Sequence, residues 1–390
     1  MKLTSDRSQL LAALTATNTA LDKKPSHAVL ACVVIEVKVH LAQIYSFALS
    51  QGCKVTLEVF GEEDGVVCLP SDYLAKVIKK VPEGNVTLTS LPDFMVQIET
   101  TAGVLSIQGL DPLEYPELPI LPIGRTFEVA ASQLKAGLAK CAKSTAKKEY
   151  SGGSTAIFVT ATDYSIEFFG TDGARAIKYT PEYTRKGSTT GGELKTMISL
   201  KVASLLNTIL PSDEATVTVI LGSGSPSYDF ITFGNFEVFF LKQESKNLDY
   251  FLIGEKSYFG LVVDKKIAIK TIERLKSSYA LIKHAHLDFQ GDTFEVSKEL
   301  MENYKDKVTE EWKEKLIFRM TEFLPLICSE GEINSRVKIN IENFLIGLRS
   351  CSADTIKVTL KAIPTKNIIL TTLETSDTKY ITGERQVYKP

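Results

Sequence analysis

Apolar positions along this chain recur with two periods, and the switch between them repeats. Lys2–Leu14 (KLTSDRSQLLAAL), Thr126–Leu138 (TFEVAASQLKAGL) and Gly260–Ile272 (GLVVDKKIAIKTI) share one design, a short alternating strand followed by an amphipathic helix. Ser8-Gln9-Leu10 and Leu14 return as Ser132-Gln133-Leu134 and Leu138. The spacing is roughly 125–135 residues, the size of one ordinary domain. Each third holds a second helix pattern: Ser71–Val81, Leu200–Leu210 and Ile341–Arg349. Strand-like stretches follow at Asn85–Leu88, Ala215–Ile220 and Thr355–Leu360. Period-2 runs at Val55–Phe60, Phe94–Glu99, Gly103–Gln108 and Phe236–Leu241 predict further strands, and Gly222–Pro226 predicts a hairpin loop. The pattern is that of an α+β protein built from six similar half-domains.

Boundaries follow from composition. Leu118-Pro119-Ile120-Leu121-Pro122-Ile123-Gly124 cannot continue a helix or a central strand, so it reads as a linker. A second linker is expected over Lys246–Ser257. Three domains result, 1–123, 124–250 and 251–390. The charged stretch Val296–Lys315 (VSKELMENYKDKVTEEWKEK) is helix-compatible and has no counterpart in the other two thirds, so an insertion is expected around 296–315. Trp312 is expected to pack that helix down or, failing that, to anchor a partner.

The 390 residues carry 45 Lys and Arg against 47 Asp and Glu, a formal charge of −2. This excludes a globally basic nucleic-acid coat and an acidic disordered chain, but not a local basic surface. Six cysteines, none in a C-x-x-C pair, are no disulfide framework. They are expected as buried, reduced thiols in a cytoplasmic protein. The start Met1–Arg7 has no apolar core of a signal peptide, and the apolar run Ala28–Ile35 is too short to span a bilayer, so no membrane association is expected.

Charge changes the picture when placed on helical wheels. In Ser71–Val81 the stripe Leu74, Val77, Ile78, Val81 lies opposite Lys76, Lys79 and Lys80. In Ser132–Lys143 the stripe Leu134, Leu138, Cys141 lies opposite Lys140 and Lys143, and no acid occurs between Ala130 and Lys148. In Asp264–Lys283, Lys266, Lys270 and Arg274 line up opposite Ala268, Ile272 and Leu275. A single lysine-bearing face is usually only a solvated one. Several nearly acid-free faces, with acids gathered at Glu62–Asp64, Asp111–Glu117 and Glu310–Glu314, point instead to one positive surface. Such a surface suits a polyanion held without base readout.

No catalytic motif is present: no P-loop, G-x-S-x-G, H-E-x-x-H or G-x-G-x-x-G occurs. Four histidines leave little for a metal site, and Asp111, Glu114 and Glu117 read as a solvated acidic loop. No catalytic residue, metal or cofactor is expected.

At this point the residues resemble a family, the bacterial DNA polymerase III beta subunit or sliding clamp, of which the chain looks like a divergent member. The likeness rests on Met1-Lys2-Leu3-Thr4 and Lys23-Lys24-Pro25-Ser26-His27-Ala28-Val29-Leu30. It continues in Cys68-Leu69-Pro70-Ser71 through Lys79-Lys80-Val81-Pro82-Glu83-Gly84, in Leu105–Leu110 followed by Glu114-Tyr115-Pro116-Glu117-Leu118-Pro119, in Thr171-Asp172-Gly173-Ala174-Arg175-Ala176, and in Leu248-Asp249-Tyr250. The resemblance implies a DNA-clamp fold of three similar domains, each with two helices packed inside curved antiparallel sheets. It implies a homodimeric ring around duplex DNA that tethers a polymerase and performs no bond chemistry. The alternative is a clamp-fold interaction or regulatory protein that no longer encircles DNA.

Site residues carried over from the resemblance fall into three groups. DNA-facing positions are Lys24, Lys76, Lys80, Lys140, Lys143, Lys147, Lys148, Tyr150, Lys270 and Arg274, with Tyr150 either stacking on a base or packing in the fold. The pocket for linear motifs of polymerase and clamp-loader subunits matches Thr171, Gly173, Arg175, Ile177, Tyr250, Ile253 and Tyr380. Ala174, Leu248, Phe251 and Leu252 depart from the family pattern there, as does the C-terminal tail. The dimer edge matches Leu105 and Ile107, with the Leu281 region and Glu299–Glu314 as their candidate counterparts.

Overall fold

The computed structural model describes residues 1–22, 24–120, 125–148, 154–162, 165–181, 183–185, 194–211, 216–223, 227–243, 259–278, 283–290, 293–305, 312–325, 328–330, 337–363 and 368–385. By their contacts the residues gather into two compact units. The first comprises Met1–Ala139, Phe158–Ile166 and Glu182–Ser245. The second comprises Lys140–Ile157, Glu167–Pro181 and Lys246–Pro390.

Six α-helices occur among the described residues: α1 (Arg7–Ala20), α2 (Ser71–Lys80), α3 (Ala131–Ala142), α4 (Leu200–Ile209), α5 (Lys265–Ser277) and α6 (Ile341–Ser350). All six stand where the apolar periodicity puts them, each directly after a strand. Four enter through the same device. Asp6, Ser199, Asp264 and Asn340 still have extended backbone, and their side chains accept from the amides of Ser8, Val202, Ile267 and Asn343 at 2.9, 3.2, 2.8 and 3.0 Å. A cap of this kind stabilises a helix by about 1 kcal/mol, because it satisfies amides that the first turn leaves unpaired. At the other end of α2, Arg7 reaches the carbonyls of Ile78 and Lys79 at 3.2 and 2.7 Å, which joins the start of α1 to the end of α2.

The first unit holds two antiparallel sheets. One runs Phe60–Glu63, Lys2–Asp6, Asn85–Ser90, Met95–Thr100, Gly103–Gln108, so Gly103–Gln108 is an edge strand. The other runs Tyr183–Arg185, Arg125–Ala130, Thr216–Ser223, Tyr228–Phe233, Phe236–Leu241, Gln51–Glu58, Leu41–Phe47, Cys32–Lys38, Gly65–Pro70. Its middle pair, Phe236–Leu241 on Gln51–Glu58, joins strands from either side of residues 118–124 into one sheet. The expected strand Val55–Phe60 is interrupted at Val59, since Phe60–Glu63 pairs in the other sheet. Leu3, Leu10, Leu14, Ile35, Ile44, Leu69 and Phe239 are among the largest fully buried side chains.

Tyr115 ties the segment after Gly103–Gln108 to this core. Its hydroxyl accepts from the Phe47 amide at 2.7 Å and donates to the Cys32 carbonyl at 3.3 Å, within a buried cluster that includes Val34, Cys68, Phe230 and Phe239. Burial raises its phenol well above the ordinary value. Tyr115→Phe leaves a buried amide without its acceptor, so urea denaturation is expected to show a loss of about 1–3 kcal/mol. A loss under about 0.5 kcal/mol would mean that water replaces the hydroxyl there.

In the second unit one sheet includes the run Ile166–Thr171, Arg175–Tyr179, Thr378–Arg385, Ile368–Glu374, Thr355–Ile363, Phe259–Asp264, Cys328–Glu330. A four-stranded sheet runs Trp312–Pro325, Thr293–Lys305, His284–Gln290, Val337–Asn340. Here one expectation is corrected. The described residues of the stretch 296–315 are not helical: Thr293–Lys305 and Trp312–Pro325 form a long antiparallel ladder with a bulge at Leu300/Met301. Trp312 begins the second strand rather than packing a helix down. In the register Glu299 stands opposite Arg319, Glu302 opposite Lys315 and Leu300 opposite Phe318.

Five cysteines, Cys32, Cys53, Cys68, Cys141 and Cys351, are free and buried, as expected. Burial holds the thiols of Cys53 and Cys351 up at about 12, so they stay protonated at neutral pH.

Candidate nucleic-acid interface

The outward face of α2 follows from its buried stripe. Leu74 and Ile78 are buried, which turns Lys76, Lys79 and Lys80 to solvent. Lys76 pairs with Asp72 one turn earlier at 2.5 Å, while Lys79 and Lys80 carry no ion pair among the described residues. On α5, Ala268, Thr271, Ile272 and Leu275 are buried, and Lys266, Lys270 and Arg274 are exposed on the other side. Two cross-links hold α5 against α6: Arg349 with Glu273 at 2.6 Å, and Lys276 with Glu342. They use up the acids of these helices and leave Lys266 and Lys270 without an ion pair among the described residues. The outward residues of α1, by contrast, are Ser8, Gln9, Ala12 and Thr15. The positive charge is thus concentrated on particular helices, not spread over all six. Lys24, Lys143, Lys147 and Lys148 are also exposed, and Tyr150 lies outside the described residues.

Lys140 requires a correction. Its position on the α3 wheel is opposite Leu134, Leu138 and Cys141, yet it does not face solvent. The ammonium donates to Ser352 Oγ, to Thr378 Oγ1 at 2.9 Å and to Asp377 Oδ2 at 3.4 Å, and it lies 4.3 Å from the centre of the Tyr179 ring. Asp377 is further held by Ser352 at 2.5 Å and Thr375 at 2.8 Å. Burial lowers the Lys140 pKa, Asp377 opposes that, and the charge of Lys265 adds to the lowering. A lysine committed to this internal network is no phosphate contact.

The Thr171–Arg175 segment forms a tight strand connection. Gly173 takes φ +84°, Asp172 Oδ1 accepts from the amides of Ala174 and Arg175, and Asp172 Oδ2 accepts from Arg175 Nε at 2.8 Å. Arg175 also reaches Asn343 of α6 at 3.2 Å. Gly170 precedes the turn because the end of α3 lies against it. A Cβ there would sit 2.3 Å from the Cys141 carbonyl oxygen and 2.8 Å from Thr145 Oγ1.

Beside this turn lies a cleft of about 390 Å³, lined by Ala142, Lys143, Thr145, Ala146, Lys147, Asp172, Arg175 and Ile346. Of the described residues expected for a motif pocket, Arg175 lines it. Thr171 and Ile177 are 3% and 0% exposed and belong to the core. Gly173 is exposed on the turn. Tyr380 stands opposite Ile177 in the strand register. Tyr250 and Ile253 lie outside the described residues. Ala142, Ala146, Asp172 and Ile346 were not foreseen, since they come from separate stretches of the chain that no local pattern links.

The expected dimer edge is partly altered. Gly103–Gln108 is an edge strand, Leu105 is half-buried and Val104 is 60% exposed, but Ile107 is 4% exposed and packs inward. Leu281 lies outside the described residues. Among the described residues no group of three or more His, Cys, Asp or Glu could hold a metal ion, and no helix is long and apolar enough to cross a membrane.

Comparison with known proteins bears on this geometry. Residues 1–119 match the family described as DNA polymerase III beta subunit, N-terminal domain. A beta sliding clamp of Synechocystis sp. is 26% identical over 183 residues, 45% of this chain and 47% of the relative. One of Halalkalibacterium halodurans is 31% identical over 87 residues, 22% of each chain. In sequence, then, the chain spans about half the length of the first curated relatives it matches. In structure the likeness runs end to end. The DNA polymerase sliding clamp from Bacillus subtilis superposes with a TM-score of 0.83 at 15% identity, covering 100% of both chains. The beta subunit of DNA polymerase III from Thermotoga maritima gives 0.78 at 20% identity, covering 99% of this chain and 100% of that one.

Proposed function

We propose that this chain, a divergent member of the DNA polymerase III beta subunit family, acts as a sliding clamp: it closes into a ring around duplex DNA and tethers a polymerase. The observation that carries the reading is the set of exposed lysines Lys79 and Lys80 on α2 and Lys266 and Lys270 on α5, without an ion pair among the described residues, in a chain of formal charge −2 with a clamp fold over its whole length. Lys76, Lys79, Lys80, Lys266, Lys270 and Arg274, with Lys24 and Lys148, contact phosphates. Lysine meets phosphate as a point charge and reads no base, so the ring is held and still slides. The chain does no bond chemistry. Its partners are duplex DNA, a second copy across the Gly103–Gln108 edge, and polymerase and loader subunits that present linear motifs. Three domains per chain, with boundaries near 123 and 250, and a cytoplasmic location complete the proposal.

Topology is the discriminating measurement. The loaded protein is expected to stay on nicked circular duplex through a gel-filtration run and to leave once the circle is cut. Equal retention on both forms would mean ordinary surface binding. The burial of Thr171, Ile177 and Ile107 favours a second reading, an interaction protein of the same fold that encircles nothing. A strict monomer in sedimentation at micromolar concentration would select it.

A further inference from the structure

We infer that the tip of the hairpin joining Cys32–Lys38 to Leu41–Phe47, together with the neighbouring stretch 58–64, docks a basic amphipathic segment of another protein, in which lysines or arginines flank bulky apolar side chains. Three large apolar side chains stand in water there: Val39 is 66% exposed, Phe60 65% and Leu41 48%. The fold brings them to one place. Leu41 stands opposite Glu58 in the strand register, and one step further along the Val59 amide donates to the His40 carbonyl at 2.9 Å. The Val39 amide donates to Asp64 Oδ1 at 2.7 Å, which fastens the tip to the far end of the same stretch.

Val39 is held outward at a steric cost. Lys38 pairs with Leu41, which leaves Val39 and His40 as a two-residue loop, and Val39 takes φ +58°. A positive φ crowds a β-branched side chain, and two-residue hairpin loops favour Gly or Asn where it occurs. The exposed valine gains no burial in return. Gly61 secures the arrangement. A Cβ there would lie 2.0 Å from the Val39 carbonyl oxygen, so the strand that carries Phe60 lies against the loop only because that residue is glycine. Backbone strain kept at an exposed apolar residue, beside two more such residues, marks a surface that serves binding rather than folding.

Charge selects the occupant. Residues 58–64 (EVFGEED) carry four acids and no cation, and Glu58, Glu62, Glu63 and Asp64 are all exposed. Lys2 meets Glu62 and Lys38 meets Glu36, each at 2.6 Å, whereas Glu58 and Asp64 have no ion pair among the described residues. This rim repels a nucleic acid or an anionic lipid surface. A second copy of the chain, meeting the patch by a two-fold axis, would set acid against acid. A protein segment whose cations surround an apolar centre gains on both counts: its apolar side chains cover Val39, Leu41 and Phe60, and its cations meet the rim. The inference goes beyond the clamp reading and needs none of it.

Fluorescence anisotropy on the full chain tests this with two labelled peptides, Lys-Leu-Phe-Lys-Lys-Leu-Val-Lys and its uncharged counterpart Gln-Leu-Phe-Gln-Gln-Leu-Val-Gln. The basic peptide is expected to bind about tenfold more tightly. Val39→Gly with Phe60→Ser should weaken that binding about tenfold, and Glu58→Lys, which reverses one rim charge, about threefold. Val39→Gly alone keeps the positive φ without the crowding, so its thermal melt should equal or exceed that of the parent while its affinity for the basic peptide falls. Equal affinity for the two peptides overturns the inference. So does a Val39→Gly chain that melts lower yet binds as the parent does, which would make the valine a support of the hairpin. Self-association in sedimentation that Phe60→Ser abolishes would make the occupant a second copy, and it overturns the inference as well.

Discussion

Changing Lys79, Lys80, Lys266 and Lys270 together to Glu is expected to abolish retention on circular duplex at physiological salt and to flatten the salt dependence of binding. Each phosphate neutralised by a protein cation releases condensed counterions, so the logarithm of affinity falls with the logarithm of salt by about 0.9 per contact. Four lost contacts should make that slope shallower by roughly three to four units. All four side chains are exposed and carry no ion pair among the described residues, so their removal leaves no buried partner stranded. The cost to folding is confined to the last turn of α2, where Lys79 and Lys80 favour the negative helix end by about 0.3–1 kcal/mol each. A thermal melt separates that cost from the binding effect. An unchanged slope would return these residues to the status of an ordinary solvated face.

What the sequence reveals here depends on whether a feature is local. A helix that buries one stripe announces itself within a dozen residues, and α1 to α6 are legible for that reason. The strand-then-cap design is equally local, since Asp6, Ser199, Asp264 and Asn340 act on amides two or three residues ahead. The exposure of Lys79, Lys80, Lys266 and Lys270 follows from the same wheels. The hairpin Thr293–Lys305 with Trp312–Pro325 is not local. Its Glu and Lys content favours a helix, and only the facing register, Glu299 with Arg319 and Glu302 with Lys315, reveals the ladder. The cleft was illegible for a related reason. Ala142 and Ala146 on the α3 side line it together with Ile346 of α6, some 200 residues away, and no periodicity links them.

Lys140 is the sharpest case, and it leads to the second large effect. A helical wheel says which way a side chain turns from its own apolar stripe, but not what stands on that side. In the fold the side occupied by Lys140 is filled by the turn holding Asp377 and Thr378, by Ser352 and by the Tyr179 ring. With side chains 12% and 24% exposed, Lys140 and Asp377 form a largely buried pair. Breaking a fully buried pair by deleting one partner costs about 3–5 kcal/mol; the water still reaching Asp377 should reduce this to roughly 1–3 kcal/mol for Asp377→Asn. The pH dependence gives an independent sign. Burial pushes the Asp377 carboxyl up, but hydrogen bonds from Ser352 and Thr375, the Lys140 charge and Thr378 outweigh it and hold the folded value below the ordinary one. The unfolded chain then binds more protons in that window, so the contribution is complete above about pH 4–5 and disappears as pH falls through the folded value. Urea denaturation from pH 2 to 7 should show a steeper acid loss for the parent than for Asp377→Asn. Lys140→Met should destabilise the chain and leave the salt slope of duplex binding unchanged, because its ammonium is spent inside the protein. A Lys140→Met variant of full stability whose slope drops by about one unit would place that ammonium on DNA after all.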